Sequence, residues 1–202
     1  MDKRKIQYGI VVLMLAFVFV GCGQKKKNDV KVYENTEEVT ADHEEASMTA
    51  IITSMDMENN QMHFVSVLDG TDITLQYHGG VRVTDTTGAD IGIDNVACGN
   101  VVDIVYYMDT EKLVSIAKNA KVKTYTQIKK FLYRQDDHTA VYNGNRFPVS
   151  DYAQVFDGDQ ALSLVDVNTE DVVTLSLWNG NLVSVIITKG HGYVRLLNQG
   201  TY

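Results

Sequence analysis

The chain is poor in residues that usually shape small folds. Among 202 residues Pro148 is the only proline, Trp178 the only tryptophan, and Cys22 and Cys98 the only cysteines. With one proline, turns fall to Gly, Asn and Asp, and two cysteines are too few for a disulfide scaffold. Catalytic signatures are missing too. There is no G-x-S-x-G elbow, and His43, His63, His78, His138 and His191 are scattered, with no pair at the i, i+4 spacing of a zinc-binding helix. Basic charge is scarce. The formal net charge is -8, and because three basic residues and one acidic residue precede Cys22, it becomes -10 from Cys22 onward. A body that acidic repels phosphate backbones, which argues against nucleic acid as a partner.

What is present points to strands. The chain is 45% hydrophobic and 22% charged, an ordinary globular balance, with 15 Gly and many Tyr, Val, Thr and Ile. Short strands separated by Gly, Asn and Asp turns are the expected elements.

"MDKRK" is followed by "IQYGIVVLMLAFVFVGCGQ", which carries no charge before Lys25. A basic start, an apolar run and small residues at its end are the parts of a secretory signal. The tail "FVGC" resembles the lipobox of bacterial lipoproteins, with Phe19 where that family usually has Leu. The resemblance implies that residues 1–21 are a lipoprotein signal peptide and that Cys22 is acylated, with palmitate or a similar chain. An uncleaved membrane anchor is the alternative, since the run is long enough to span a bilayer. Both place the remainder outside the cytoplasm. Lipid on Cys22 beside Lys25, Lys26 and Lys27 would combine hydrocarbon burial with attraction to anionic headgroups. Residues 22–47 then read as a lipid-anchored acidic linker, too polar to offset its own ordering entropy.

Beyond the linker the sequence repeats itself. "LVSIAKN" at residues 113–119 returns as "LVSVIIT" at residues 182–188. Upstream, Ile91, Ile93, Val96, Val102, Ile104 and Tyr106 match Leu162, Leu164, Val167, Val173, Leu175 and Leu177, each pair 71 apart, whereas Leu113 and Leu182 are 69 apart. The two-residue difference falls between the strands, where "MDTEK" is replaced by "NGN", as insertions in hairpin turns do. Alternation sends Val102, Ile104 and Tyr106, and Val173, Leu175 and Leu177, to one face. It continues with Val114 and Ile116, or Val183 and Val185, inward across an outward Ser115 or Ser184. The expected fold is all-β: two tandem small antiparallel β-barrel or sandwich repeats, residues 48–120 and 121–198, with a tail at 199–202. Upstream of the hairpin each has four further strand-like runs, "MTAIITS", "QMHFVSV", "DITLQY" and "VRVTD" in the first and "KKFLYRQ", "HTAVYN", "RFPVS" and "AQVF" in the second, and a single helical turn crosses one end. One continuous sandwich is the alternative.

The folded part as a whole resembles bacterial envelope lipoproteins that have an acidic linker, small β-repeats and a C-terminal PEGA module. Its most specific portion, "TKGHGYVRLLN" at residues 188–198, resembles the stretch that introduces PEGA. The chain closes on "QGTY" with no PEGA module, so it reads as a shortened member or a truncated sequence.

Candidate sites are few. Cys98 in "NVACGNVV" has no His or Lys beside it and reads as a small buried residue. Asp85, Asp90 and Asp94, and Asp157 and Asp159, lack EF-hand spacing and suit turns. Tyr107 and Trp178 hold matched positions at the end of the repeated strand, outward by alternation. They are candidate partner-binding residues, or they cover a barrel end or pack between the barrels. The expectation is a non-enzymatic, lipid-anchored envelope protein facing the exterior or the periplasm, with neither cofactor nor metal. It would act as a spacer, scaffold or adhesion module toward cell-wall glycan or another envelope protein. The alternative is a ligand-capturing or sensor-type lipoprotein.

Overall fold

The computed structural model describes residues 43–190. Cys22, the signal-like stretch, most of the acidic linker, His191 and the end of the PEGA-like stretch lie outside them. The described chain is all-β. β1 (Glu45–Asp56), β2 (Gln61–Ser66), β3 (Asp72–Gln76), β4 (Arg82–Thr84), β5 (Val101–Tyr107) and β6 (Lys112–Lys118) form one sheet. β7 (Lys123–Ile128), β8 (Leu132–Arg134), β9 (Thr139–Tyr142), β10 (Asn145–Asp157), β11 (Gln160–Leu162), β12 (Val172–Trp178) and β13 (Asn181–Lys189) form the other. Among the described residues no helix is long and apolar enough to cross a membrane.

The first sheet runs β3-β2-β1-β5-β6 and closes on itself where Gln76 of β3 meets Lys112 of β6. That contact is parallel, and so is the pairing of β4 with β6, although wholly antiparallel repeats are expected. The reason is parity. A ring with an odd number of strands cannot alternate direction all the way round, so one neighbouring pair must run the same way. Met62, Phe64, Leu75, Val102, Ile104, Leu113 and Ile116 fill the interior.

The second sheet follows the same path. β12 pairs with β13, β13 runs parallel to β10, and β10 turns back on β9. One strand differs. β1 pairs with β5 through its first half and with β2 through its second, whereas in the second copy these roles are split between β7, on β12, and β8, on β9. Lys130, between them, sits at φ 58, a conformation strands do not adopt. The crossing turns match as well: one-turn 3-10 helices lie at Ile93–Asn95 and Leu164–Asp166.

Three expectations need correction. β1 begins at Glu45, inside the stretch read as linker, because residues 45–47 find ladder partners at Tyr107, Tyr106 and Val105. "RFPVS" and "AQVF" are one strand, β10, that changes partners midway from β9 to β13 and β11. The inward sequence of the last strand is also different. β5 and β6 pair Val105 with Ser115 and then Tyr106 with Leu113, skipping Val114; β12 and β13 pair Ser176 with Ser184 and then Leu177 with Leu182, skipping Val183. Each copy thus carries a β-bulge in its "LVS" triplet, which breaks alternation. Leu113 and Ile116 enter the first core, and Leu182 and Val185 the second. Val114 and Val183 do not.

The bulge in the second barrel faces the first barrel. Val183 and Phe156 pack against Ile51, Val67, Cys98 and Val101 in a third apolar cluster, with Val122 and Trp178 at its margin. Ser184, outward from its own barrel as alternation predicts, has no exposure, and its hydroxyl donates to the carbonyl of Gly99 at 2.7 Å. Gly99 adopts φ 84, and a Cβ there would stand 2.6 Å from Cγ1 of Ile186 and 3.0 Å from Cδ2 of Phe156. Gly70 likewise lies against the Tyr152 ring, which a Cβ would meet at 2.4 Å. The connection between barrels is short and tied. Asn119 donates to Asp103 at 2.7 Å while its own side-chain oxygen accepts from Lys121 N–H at 2.8 Å.

Gly99→Ala therefore combines a left-handed backbone with an overpacked seam, and the expected loss is about 3 kcal/mol. Gly144, at φ 77 with nothing near its missing Cβ, provides the control. Gly144→Ala should cost only about 1 kcal/mol, the backbone term alone. Urea midpoints of the two variants check the difference.

Candidate functional site

Tyr107 and Trp178 end equivalent strands, but the structure puts them to different uses. Trp178 is half-buried against the seam cluster. Tyr107, also half-buried, stacks beneath His43 with ring centroids 4.6 Å apart. His43 is held by Asp109, whose Oδ2 is 2.8 Å from Nδ1, and that hydrogen bond holds the Asp109 carboxyl below its ordinary value. The two aromatics form no common surface.

Several open recesses surround the barrels: one of about 340 Å³ is walled by Lys129, Lys130, Thr169, Glu170, Val172 and Lys189, and three others lie at the seam and at the barrel mouths. One lies along the seam, about 270 Å³, with Asn100, Lys118, Asn119, Thr124, Thr174 and Ser176 among its walls. Its polar groups are amides, hydroxyls and one ammonium, a set that can bind hydroxyl-rich ligands but lacks a nucleophile–base pair. The other two lie at equivalent barrel mouths. Each is walled by the strand that closes the ring, by the last inward residue of the strand before the hairpin, and by the hairpin turn. At the first barrel these supply Asp72, Leu75, Tyr106, Met108 and Glu111 around about 500 Å³. At the second they supply Phe147, Leu177, Asn179 and Gly180, joined by Lys121, Lys123 and Tyr125, around about 330 Å³. Asn179 and Gly180 take φ 50 and 83, the two positive values that an Asn-Gly hairpin turn requires.

The same mouth is therefore acidic in one copy and basic in the other. The basic mouth was hidden in the sequence because β7, with one buried residue, does not read as a strand; the alternation of Lys121, Val122, Lys123, Thr124 and Tyr125 was the available signal.

Cys98 and Asp85 sit in structural settings. Cys98 is buried, and burial first, then the nearby Asp159 carboxylate, push its thiol up from the ordinary value. It is a neutral thiol at physiological pH. Asp85 accepts from the backbone and hydroxyl of Thr87 at 2.8 and 2.6 Å and from Ala89 N–H at 3.1 Å. These bonds, Thr87's first, hold its carboxyl below the ordinary value and close a turn. Among the described residues no three His, Cys, Asp or Glu side chains converge on a point where a metal ion would sit.

Compared with known proteins, the chain matches no protein-family model and no curated relative.

Two outcomes follow from these environments. With Cys22 replaced by serine, Ellman's reagent should find no reactive thiol in the native protein and one per chain in urea. The Asp109 carboxylate, with its lowered pKa, contributes above the ordinary Asp range and loses that contribution only as pH falls through its depressed folded value. Acid titration should therefore leave the nuclear Overhauser contacts between the His43 and Tyr107 rings intact through the normal Asp transition and break them only below it, as NMR would record.

Proposed function

We propose that the protein is a non-enzymatic, lipid-anchored envelope protein, attached through Cys22 and facing the exterior or periplasm. Its two-barrel body serves as a spacer and binding module for cell-wall glycan or another surface protein. The observation that carries this reading is the seam. A buried hydrogen bond, two glycines with no room for a Cβ and a tied connection join the barrels into a stiff pair, as a module that presents a surface at a fixed distance needs. The signal-like stretch, the acidic stretch after it and the resemblance to PEGA-associated lipoproteins support an anchor at the N-terminal end.

A second reading, a lipoprotein that captures a small ligand, is favoured by the recesses at the barrel mouths. It predicts thermal stabilisation by that ligand, growing with the logarithm of its concentration above Kd.

Cells fed labelled palmitate test the anchor. The wild-type chain should take up label and sediment with membranes, and Cys22→Ser should lose the label and leave the membrane fraction. An unlabelled wild-type chain, or label persisting in Cys22→Ser, would overturn lipidation.

A further inference from the structure

We propose that the mouth of the second barrel is a binding site for an acidic carbohydrate, with the lysines meeting its carboxylate and the aromatic pair its apolar ring face. The assignment deepens the envelope-binding reading and rests on it for the source of the sugar.

The walls are Tyr125 and Phe147, half-buried, with ring centroids 5.9 Å apart and planes tilted 42°. Leu177 adds apolar surface, Asn179 stands at the hairpin turn, and Lys121 and Lys123 are exposed at the rim. At about 330 Å³ the recess is near the small end of ligand pockets, which run roughly 300–1,000 Å³. It therefore suits one or two sugar rings.

Charge decides the class. The chain is -8 overall, yet no carboxylate lines this mouth and, among the described residues, neither lysine is in an ion pair. A polyanion such as nucleic acid meets the repulsion of the whole body; a short chain bearing one or two carboxylates meets chiefly the two ammoniums. A neutral sugar would use the rings and leave the lysines idle. An inorganic anion would use the lysines and leave the rings idle. An acidic sugar engages both, and its hydroxyls reach the Asn179 amide.

β7 lies at the edge of its sheet, where lysines discourage strand pairing. That accounts for Lys123 but not for two half-open rings beside it. The first barrel supplies an internal contrast, since its equivalent mouth carries Asp72 and Glu111 and no lysine.

The full-length protein, titrated calorimetrically with digalacturonic acid, cellobiose and the dipeptide Glu-Glu, tests the assignment. Digalacturonic acid should bind most tightly, and more weakly as salt rises. Lys121→Ala with Lys123→Ala should weaken it about tenfold. Phe147→Leu, which keeps apolar bulk but removes the ring, should weaken it by a similar factor, whereas Glu111→Gln in the other mouth should leave it unchanged. Absence of digalacturonate binding, or binding indifferent to the lysines, overturns the site. Glu-Glu binding at least as tightly overturns the sugar in favour of an acidic peptide. Either result alongside intact palmitate labelling of Cys22 removes this site alone and leaves the anchored body standing.

Discussion

The hydroxyl of Ser184 has no access to water, and the carbonyl of Gly99 in the other barrel is its partner. A buried hydroxyl left unpaired costs about 1–3 kcal/mol, so the barrels are held at the one separation that keeps the bond. At that separation the backbone at Gly99 touches Ile186 and Phe156, which is why no side chain fits there. The apolar cluster around the bond supplies attraction, and the bond supplies registration. Apolar contact alone tolerates sliding; a single hydroxyl enclosed by it does not.

The duplicated heptad owes its conservation between the copies to geometry. Leu, Val and Ser recur because a bulge recurs, and the bulge lets three successive residues do different work. Leu182 fills its own barrel, Val183 meets the neighbour, and Ser184 bonds across. The hairpins and the crossing turns were legible from alternation, turn residues and the offset of 71. The bulge was not, because period-2 reasoning assumes an unbroken ladder, and a skipped residue leaves composition unchanged. β7 was unread for a related reason. Its pattern, Lys-Thr-Tyr-Thr-Gln-Ile, has few buried positions, since the strand lies at an edge and only Ile128 is fully enclosed.

Of the candidate residues, sequence placed Cys98 correctly as buried, and it matched Tyr107 with Trp178. It could not say that one would lie under His43 and the other beside a seam, because both neighbours come from elsewhere in the fold. The opposite charges of the two mouths were likewise invisible until Lys121, Lys123 and Tyr125 were seen to share a recess with residues 22 or more positions away. Stiffness at the seam and divergence at the mouths are compatible because no residue of the seam cluster lines either mouth.

The contact between the barrels is head to tail: a loop end of the first meets a sheet face of the second. A unit that stacks this way on its copy presents the same two surfaces again at the extremities, and nothing in the geometry alone stops a third from joining. Side chains do. Where the first barrel offers Ile51, Cys98 and Gly99, the equivalent positions of the second hold Lys129, Thr169 and Glu170. Where the second offers Phe156, Ile186 and Trp178, the first holds Thr84, Ala117 and Tyr107. Charge at one extremity and loss of bulk at the other take away the apolar match that joins the two barrels to each other.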